Sequence, residues 1–257
     1  MARAAKCAMS HKWELEGKTA LVTGAAKRIG RALSLALADR GVNIAVHYRT
    51  SQAEADELAE ALRTKGTAAW TVPADLGDAA QAAALFARAL ELAGPIDILI
   101  NNAAAFPDTR LDTVTPDAIH ADLNVNALAP FLLSRDLAAQ GREGAIVNFL
   151  DTRFVDYDRN HVAYHLSKRA LFSLTRMSAL EFAPAIRVNA VAPGLILPPP
   201  GKAPAYLEKL AHTNPLNRHG SPDDVVDAVL FLIESRFVTG QIIFVDGGRH
   251  MKGNVYG

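Results

Sequence analysis

At 257 residues, half of them apolar, the chain has material for one large α/β domain or two smaller ones. Its 27 basic and 27 acidic residues cancel, which argues against a nucleic-acid or anionic-membrane partner. The single cysteine, Cys7, excludes an internal disulfide, and no apolar run reaches the roughly 18 residues a bilayer span needs, so a reducing, cytoplasmic setting is expected. Met1 to Lys12 is basic but lacks the apolar stretch of a signal peptide, and is expected to be a disordered tail.

From there strands and helices alternate. Thr19 to Thr23 reads as a first strand, followed by a helix over Lys27 to Arg40. Val42 to His47 is a second strand, and Ser51 is a plausible N-cap for a helix reaching Lys65. Ala68 to Val72 is a third strand, and the helix over Asp78 to Ala93 is stopped by Gly94-Pro95. Ile96 to Asn101, apolar on both faces, is a fourth strand, as expected of one covered by helices on each side. Helices from about Thr115 and about Asn126 precede a fifth strand at 145–150, a helix at 161–182 and a sixth strand from Ile186 to Val191. A Pro-rich loop, two shorter helices and a seventh strand from Gln241 to Val245 close the chain. This alternation predicts an α/β fold, a single Rossmann-like domain over residues 13–257 with a doubly wound parallel sheet and helices on both faces.

Thr23 to Gly30 joins the first strand to the first helix. Gly24 permits a tight turn there, and the helix N-terminus offers free N–H groups to an anion. The spacing is Gly24, Arg28, Gly30, with arginine at the place of the middle glycine in a relaxed G-x-x-x-G-x-G pattern. The second strand ends in His47-Tyr48-Arg49-Thr50-Ser51, without the carboxylate that a ribose hydroxyl would call for. Arginine and hydroxyls suit a 2′-phosphate, which favours NADPH over NADH.

Further on, Tyr164 and Lys168 lie four apart on a helix and so share a face. A nearby cation favours an ionised phenol, which predicts a Tyr164 able to exchange a proton near neutral pH. Asp151 stands where the fifth strand ends, on the side where ligands bind in open α/β sheets. A ketone reductase wants neutral donors around a carbonyl oxygen that gains negative charge, and an ionised Asp151 opposes that. A pterin instead offers N–H and amino donors to a carboxylate. Thr152 would serve as a hydroxyl donor if the register were shifted by one residue.

Taken together, Thr23-Gly24 to Gly30, Asp75-Leu76, Asn101-Asn102-Ala103-Ala104, Asn126, Tyr164-x-x-x-Lys168, Pro193-Gly194 and Val238-Thr239-Gly240 resemble the short-chain dehydrogenase/reductase family over about Gly17 to Arg249. Arg28, Tyr48-Arg49-Thr50-Ser51, Phe106 and Asp151, an acid where most members have serine, are similar to the pteridine reductases. Phe237 to Gly240 and Val245 to His250 are similar to their dihydromonapterin reductase branch, which reduces dihydropterins and more weakly dihydrofolate.

The resemblance implies that Gly24, Arg28, Ile29 and Gly30 hold the pyrophosphate of NADPH, and Tyr48, Arg49, Thr50 and Ser51 its 2′-phosphate. Asp75 and Leu76 would border the adenine, and Asn102 and Ala103 the ribose beside it. Pro193 and Gly194 would position the nicotinamide. Tyr164 would be the proton donor, with Lys168 on the nicotinamide ribose and Asn126 supporting the lysine. Phe106 would sandwich the pterin against the nicotinamide, with Arg28 and Asp151 also reaching the substrate. The long helices at 126–140 and 161–182 resemble those that assemble tetramers in this family. His161 and His165, four apart, have no evident acidic third ligand, so no metal is expected. The competing readings are an NADPH-dependent carbonyl reductase and a catalytically idle NADPH-binding regulator.

Overall fold

A computed structural model describes residues 12–155, 159–199 and 201–252. The expected N-terminal tail, with Cys7, lies almost wholly outside these residues, as does Pro200 of the proline run. Seven strands form one sheet: β1 (Thr19–Val22), β2 (Asn43–Tyr48), β3 (Ala69–Pro73), β4 (Ile98–Asn101), β5 (Gly144–Phe149), β6 (Ile186–Pro193) and β7 (Ile242–Val245). All pairings are parallel and the order is β3-β2-β1-β4-β5-β6-β7.

The period-two alternation of side chains sorts the apolar runs to the two faces. Ala20, Val22, Ile44 and Val46 pack beneath α1 (Arg28–Ala38), α2 (Gln52–Thr64) and α8 (Pro222–Glu234), against Leu33, Leu58 and Val229. Leu21, Ala45, Leu99 and Val188 point the other way, into α3 (Ala79–Ala93) and α5 (Ala129–Ala139), against Leu85 and Leu133. On that face α6 (Val162–Glu181) continues the layer, with Leu171 packed beside Ala190 and Ala192. Among the described residues the remaining α-helices are α4 (Pro116–Leu123) and the short α7 (Ala205–Leu210).

Helix starts follow the capping residues. Asp78 accepts from the N–H groups of Ala80 and Gln81, Thr115 from Ala118, and Ser221 forms a reciprocal capping box with Asp224. Ser51 stands at the N-cap position of α2, yet its hydroxyl makes no capping bond. A second departure from the sequence reading is at Asn126. Instead of opening a helix it lies inside a wide π turn, Asn124–Leu128, between α4 and α5. The extra residue in that turn rotates the Asn126 amide inward, where it is wholly buried.

Between β4 and β5 a polar thread crosses the apolar layer. Asn101 Nδ2 donates to Asn148 Oδ1 at 2.8 Å, and Asn148 Nδ2 donates to Thr175 Oγ1 on α6 at 2.9 Å. Thr175→Val keeps the shape but strands a buried amide donor. It should lower stability by about 1–3 kcal/mol, while Thr175→Ser stays near wild type, read as unfolding midpoints in urea.

Candidate functional site

Strand order reverses between β1 and β4, opening a crevice at the carboxyl ends of these strands. Asn102, just past β4, bridges it: its Nδ2 donates to the carbonyls of Thr23 (2.9 Å) and Gly24 (3.2 Å). The Thr23 hydroxyl returns the contact, accepting from the N–H groups of Asn102 (2.9 Å) and Ala103 (3.0 Å). Gly24 turns the chain with φ +61°, and Arg28 takes φ +56°. Arginine thus adopts the left-handed conformation that a glycine supplies freely, at some backbone cost. A Cβ on Gly30 would meet the Gly24 carbonyl oxygen at 2.3 Å, so helix α1 starts against the turn itself. No acid lies in the first turn of α1. This close backbone cradle, free N–H groups and local Lys27, Arg28 and Arg49 fit a pyrophosphate and a further phosphate.

His47, near the end of β2, had no role in the sequence reading and proves central. Its Nδ1 accepts from Gly24 N–H at 3.0 Å, and its Nε2–H donates to the Ala74 carbonyl at 3.1 Å. The turn, β2 and the exit of β3 are thereby tied through one neutral ring, whose burial lowers its pKa to about 4. Beside it Arg49 and Thr50 are exposed and Ser51 half-buried, whereas Tyr48 is buried in the core under α1 and α2. Tyr48, Thr50 and Ser51 do not line the crevice; Arg49, Asp75 and Leu76 do.

At the other end of the crevice, Asp151 follows β5 and Tyr164 sits in the first turn of α6. The Tyr164 hydroxyl donates to Asp151 Oδ2 at 3.1 Å, and Arg153 N–H fixes the other carboxyl oxygen at 2.8 Å. Thr152, the alternative one residue on, is turned away: its hydroxyl donates to Asp246 Oδ2 at 2.6 Å. Lys168 is buried, donates to the Phe149 carbonyl at 2.7 Å, and has its pKa lowered to about 8 by that burial.

The Tyr164 phenol departs from expectation. Burial, and then the Asp151 charge and hydrogen bond, push its pKa well above 10, so the group is a proton-bearing phenol and not an easily ionised one. The lysine does not reverse this, because its ammonium is directed to the Phe149 carbonyl and lies 5.5 Å from the ring centroid.

Asn126 lies behind the crevice. Its amide pairs with both the N–H and the carbonyl of Ala105 (2.8 and 3.0 Å) and donates to Ser167 Oγ at 3.0 Å. Phe106 stacks on His161 (3.9 Å between centroids) and meets Tyr164 edge-on (4.6 Å). Gly194, after β6, has no room for a Cβ, which would lie 2.6 Å from Asp246 Cβ. Gly24, Arg28, Ile29, Gly30, Asn102 and Ala103 face Asp151, Tyr164, Lys168, Pro193 and Gly194 across a cleft of about 540 Å³.

The profile of the short-chain dehydrogenase class described as "Enoyl-(Acyl carrier protein) reductase" matches residues 24–250. The chain belongs to the short-chain dehydrogenase/reductase family. Versicolorin reductase 1 of Aspergillus parasiticus is 35% identical, covering 93% of this chain and 99% of its own. Among solved structures, FolM alternative dihydrofolate reductase 1 from Brucella canis, complexed with NADP, is 33% identical with a TM-score of 0.87, covering 93% of this chain and 96% of its own. The angucycline C-6 ketoreductase LanV, with bound NADP, is also 33% identical, with a TM-score of 0.84 and coverage of 93% and 97%. A dihydrofolate reductase and a ketoreductase therefore stand equally near this member of the family.

The buried His47 gives this reductase fold a measurable acid sensitivity. The unfolded chain takes up a proton near pH 6.5 that the folded ring resists until about pH 4. Stability contributed by neutral His47 is present above pH 6.5 and is lost as pH falls toward 4, by roughly 3 kcal/mol in all. In His47→Asn, whose amide oxygen still accepts from Gly24 N–H, that part of the slope should vanish in calorimetric midpoints taken between pH 4 and 7.

Proposed function

We propose that the chain is an NADPH-dependent reductase of dihydropterins, such as dihydromonapterin or dihydrobiopterin, with weaker action on dihydrofolate. The observation that carries this reading is the Asp151 carboxyl hydrogen-bonded to the Tyr164 phenol inside the cleft. The FolM structure, named as an alternative dihydrofolate reductase and holding NADP, supports it. NADP(H) is the cofactor; the glycine cradle, the absence of acid at the α1 start and exposed Arg49 fit its phosphates.

In this reading Gly24, Arg28, Ile29 and Gly30 receive the pyrophosphate, and Arg49, at the cleft lining, the 2′-phosphate, with Thr50 and Ser51 just outside that lining at its rim and Tyr48 shaping that end from within the core. Asp75 and Leu76 border the adenine, and Asn102 and Ala103 the ribose. Pro193 and Gly194 set the nicotinamide height, and Lys168 holds the nicotinamide ribose. Bound NADPH supplies a hydride to the ring carbon of the C=N bond. Tyr164, kept protonated by burial and by Asp151, gives the proton to the ring nitrogen. Asp151 accepts from the substrate N–H and amino groups and orients the phenol. Phe106 and Arg28 complete the substrate end. Exposed Leu128, Leu166, Met177 and Leu180 on and beside α5 and α6 support a homotetramer built on those helices. Among the described residues no helix is long and apolar enough to cross a membrane, in keeping with a cytoplasmic enzyme.

A second reading, reduction of a polyketide-like ketone, is favoured by versicolorin reductase 1 and LanV at similar identity. NADPH oxidation with dihydropterins, dihydrofolate and a panel of aromatic ketones separates the two. Dihydropterin turnover with little ketone turnover is expected, and the reverse would replace the pterin assignment. Asp151→Ser should cost dihydropterin turnover about 100-fold or more and leave any ketone activity equal or higher. Tyr164→Phe should lower turnover of either substrate by at least about 100-fold with NADPH affinity nearly unchanged, measured by cofactor fluorescence.

A further inference from the structure

The segment from Asn102 to Thr115, between β4 and α4, is long and carries only an isolated bridge and a turn, so something other than a ladder must fix it. It is fastened at three points. Ala105 is held by the Asn126 amide on both its N–H and its carbonyl. The Pro107 carbonyl lies 3.0 Å from His161 Nδ1, which donates to it in the matching tautomer. Thr109 makes a parallel bridge to His161: its N–H donates to the Asn160 carbonyl at 2.7 Å, and its carbonyl accepts from Val162 N–H at 3.0 Å. Its hydroxyl oxygen also accepts from Ala163 N–H at 3.0 Å.

Those last two donors belong to the first turn of α6, whose N–H groups have no partner within the helix. Helices α3, α4 and α8 satisfy theirs with a side chain at the N-cap. α6 does not: its N-cap residue is His161, whose side chain makes no capping bond and stacks on Phe106 instead. The helix that carries Tyr164 and Lys168 therefore borrows its cap from a threonine 54 residues earlier in the chain. Phe106 sits between the first two fastenings, its ring wedged against His161 and Tyr164.

We propose that Thr109 is a positioning residue of this reductase, capping α6 from the loop so that the aromatic wall at Phe106 and the Tyr164 hydroxyl are held in fixed register for a flat ring substrate. The proposal rests on the reductase reading only in taking Tyr164 as the proton donor and the ring substrate as its acceptor. Thr109 touches neither the phosphate turn nor the β2 exit, so its loss should leave NADPH binding alone.

The test compares Thr109→Val, which removes the acceptor, with Thr109→Ser, which keeps it. Steady-state kinetics use whichever dihydropterin or aromatic ketone the wild-type chain turns over. Thr109→Val should lower kcat/KM by about 10- to 100-fold, mostly through KM, with the NADPH dissociation constant within about twofold of wild type. Thr109→Ser should recover most of that loss. Wild-type kcat/KM in Thr109→Val, an equal loss in Thr109→Ser, or a loss that falls on NADPH binding would overturn the proposal. Hydrogen exchange on the unaltered protein judges the clasp independently of folding in the variants and of substrate identity. Slow exchange at Thr109, Val162 and Ala163 supports it, and exchange at the open-chain rate sinks it. If the wild-type chain reduces nothing in the panel, the functional reading fails while the exchange result still decides whether the clasp exists.

Discussion

The Asn102 side chain is the joint on which the crevice depends. A doubly wound sheet parts its loops where strand order reverses, and nothing in the strand ladder itself holds the two sides at a fixed width. Here one amide spans the gap to the carbonyls of Thr23 and Gly24, and the Thr23 hydroxyl answers to the backbone of Asn102 and Ala103. The glycines then make geometric sense. Gly30 must lack a side chain because its Cβ would fall 2.3 Å from the Gly24 oxygen and 2.8 Å from the same Asn102 amide nitrogen. His47 closes the set by accepting from Gly24 N–H. The anion-facing turn is thus preorganised by neutral hydrogen bonds, which leaves its N–H groups for a ligand, while Lys27 is ion-paired with Glu54 at 2.6 Å.

At the opposite end the governing effect is desolvation. Tyr164 and Lys168 are both buried, and burial penalises the charged form of each: the phenol is pushed up and the ammonium down to about 8. Asp151 acts on both in the same sense, favouring the protonated species, since its charge raises the lysine and the tyrosine together. Asp122, buried in α4 with its own pKa raised to about 6 by burial, adds a weaker push in that direction. Tyr164 therefore carries its proton near neutral pH, the form that a phenol donating to a substrate needs.

Much of the architecture was legible because its signals are local. Apolar runs bounded by Gly, Pro and capping residues gave each strand within two residues of its observed limits, and Asp78 and Thr115 cap the helices their positions suggested. What stayed hidden depends on partners distant in the chain. A single inserted residue in the turn at 124–128 leaves no trace in hydrophobic periodicity, yet it is what turns Asn126 inward. His47 reads as a polar interruption in a strand until its partners are known, Gly24 in the turn after β1 and Ala74 just past β3. The Tyr-x-x-x-Lys spacing correctly places two groups on one helix face, but it is blind to the Phe149 carbonyl that claims the ammonium. Thr109 carries no motif at all, and only the bare N-terminus of α6 gives it meaning.

The choice between a nitrogen heterocycle and a ketone comes down to what the group beside the phenol can do as charge develops. Reducing a carbonyl builds negative charge on oxygen, and a carboxylate 3.1 Å from the phenol oxygen would raise the energy of that species in a low-dielectric cleft. Thr152, the hydroxyl next to Asp151 in the chain, is committed to Asp246, which also takes the N–H of His250 and lies against Gly194. Freeing Thr152 would therefore disturb the loop that begins at Pro193. In the pterin reading the ring nitrogen also gains charge until Tyr164 protonates it, but the substrate brings N–H and amino donors toward the carboxylate, which a ketone does not. The proposed pterin specificity therefore rests on the acid at 151, with Thr152 committed to Asp246.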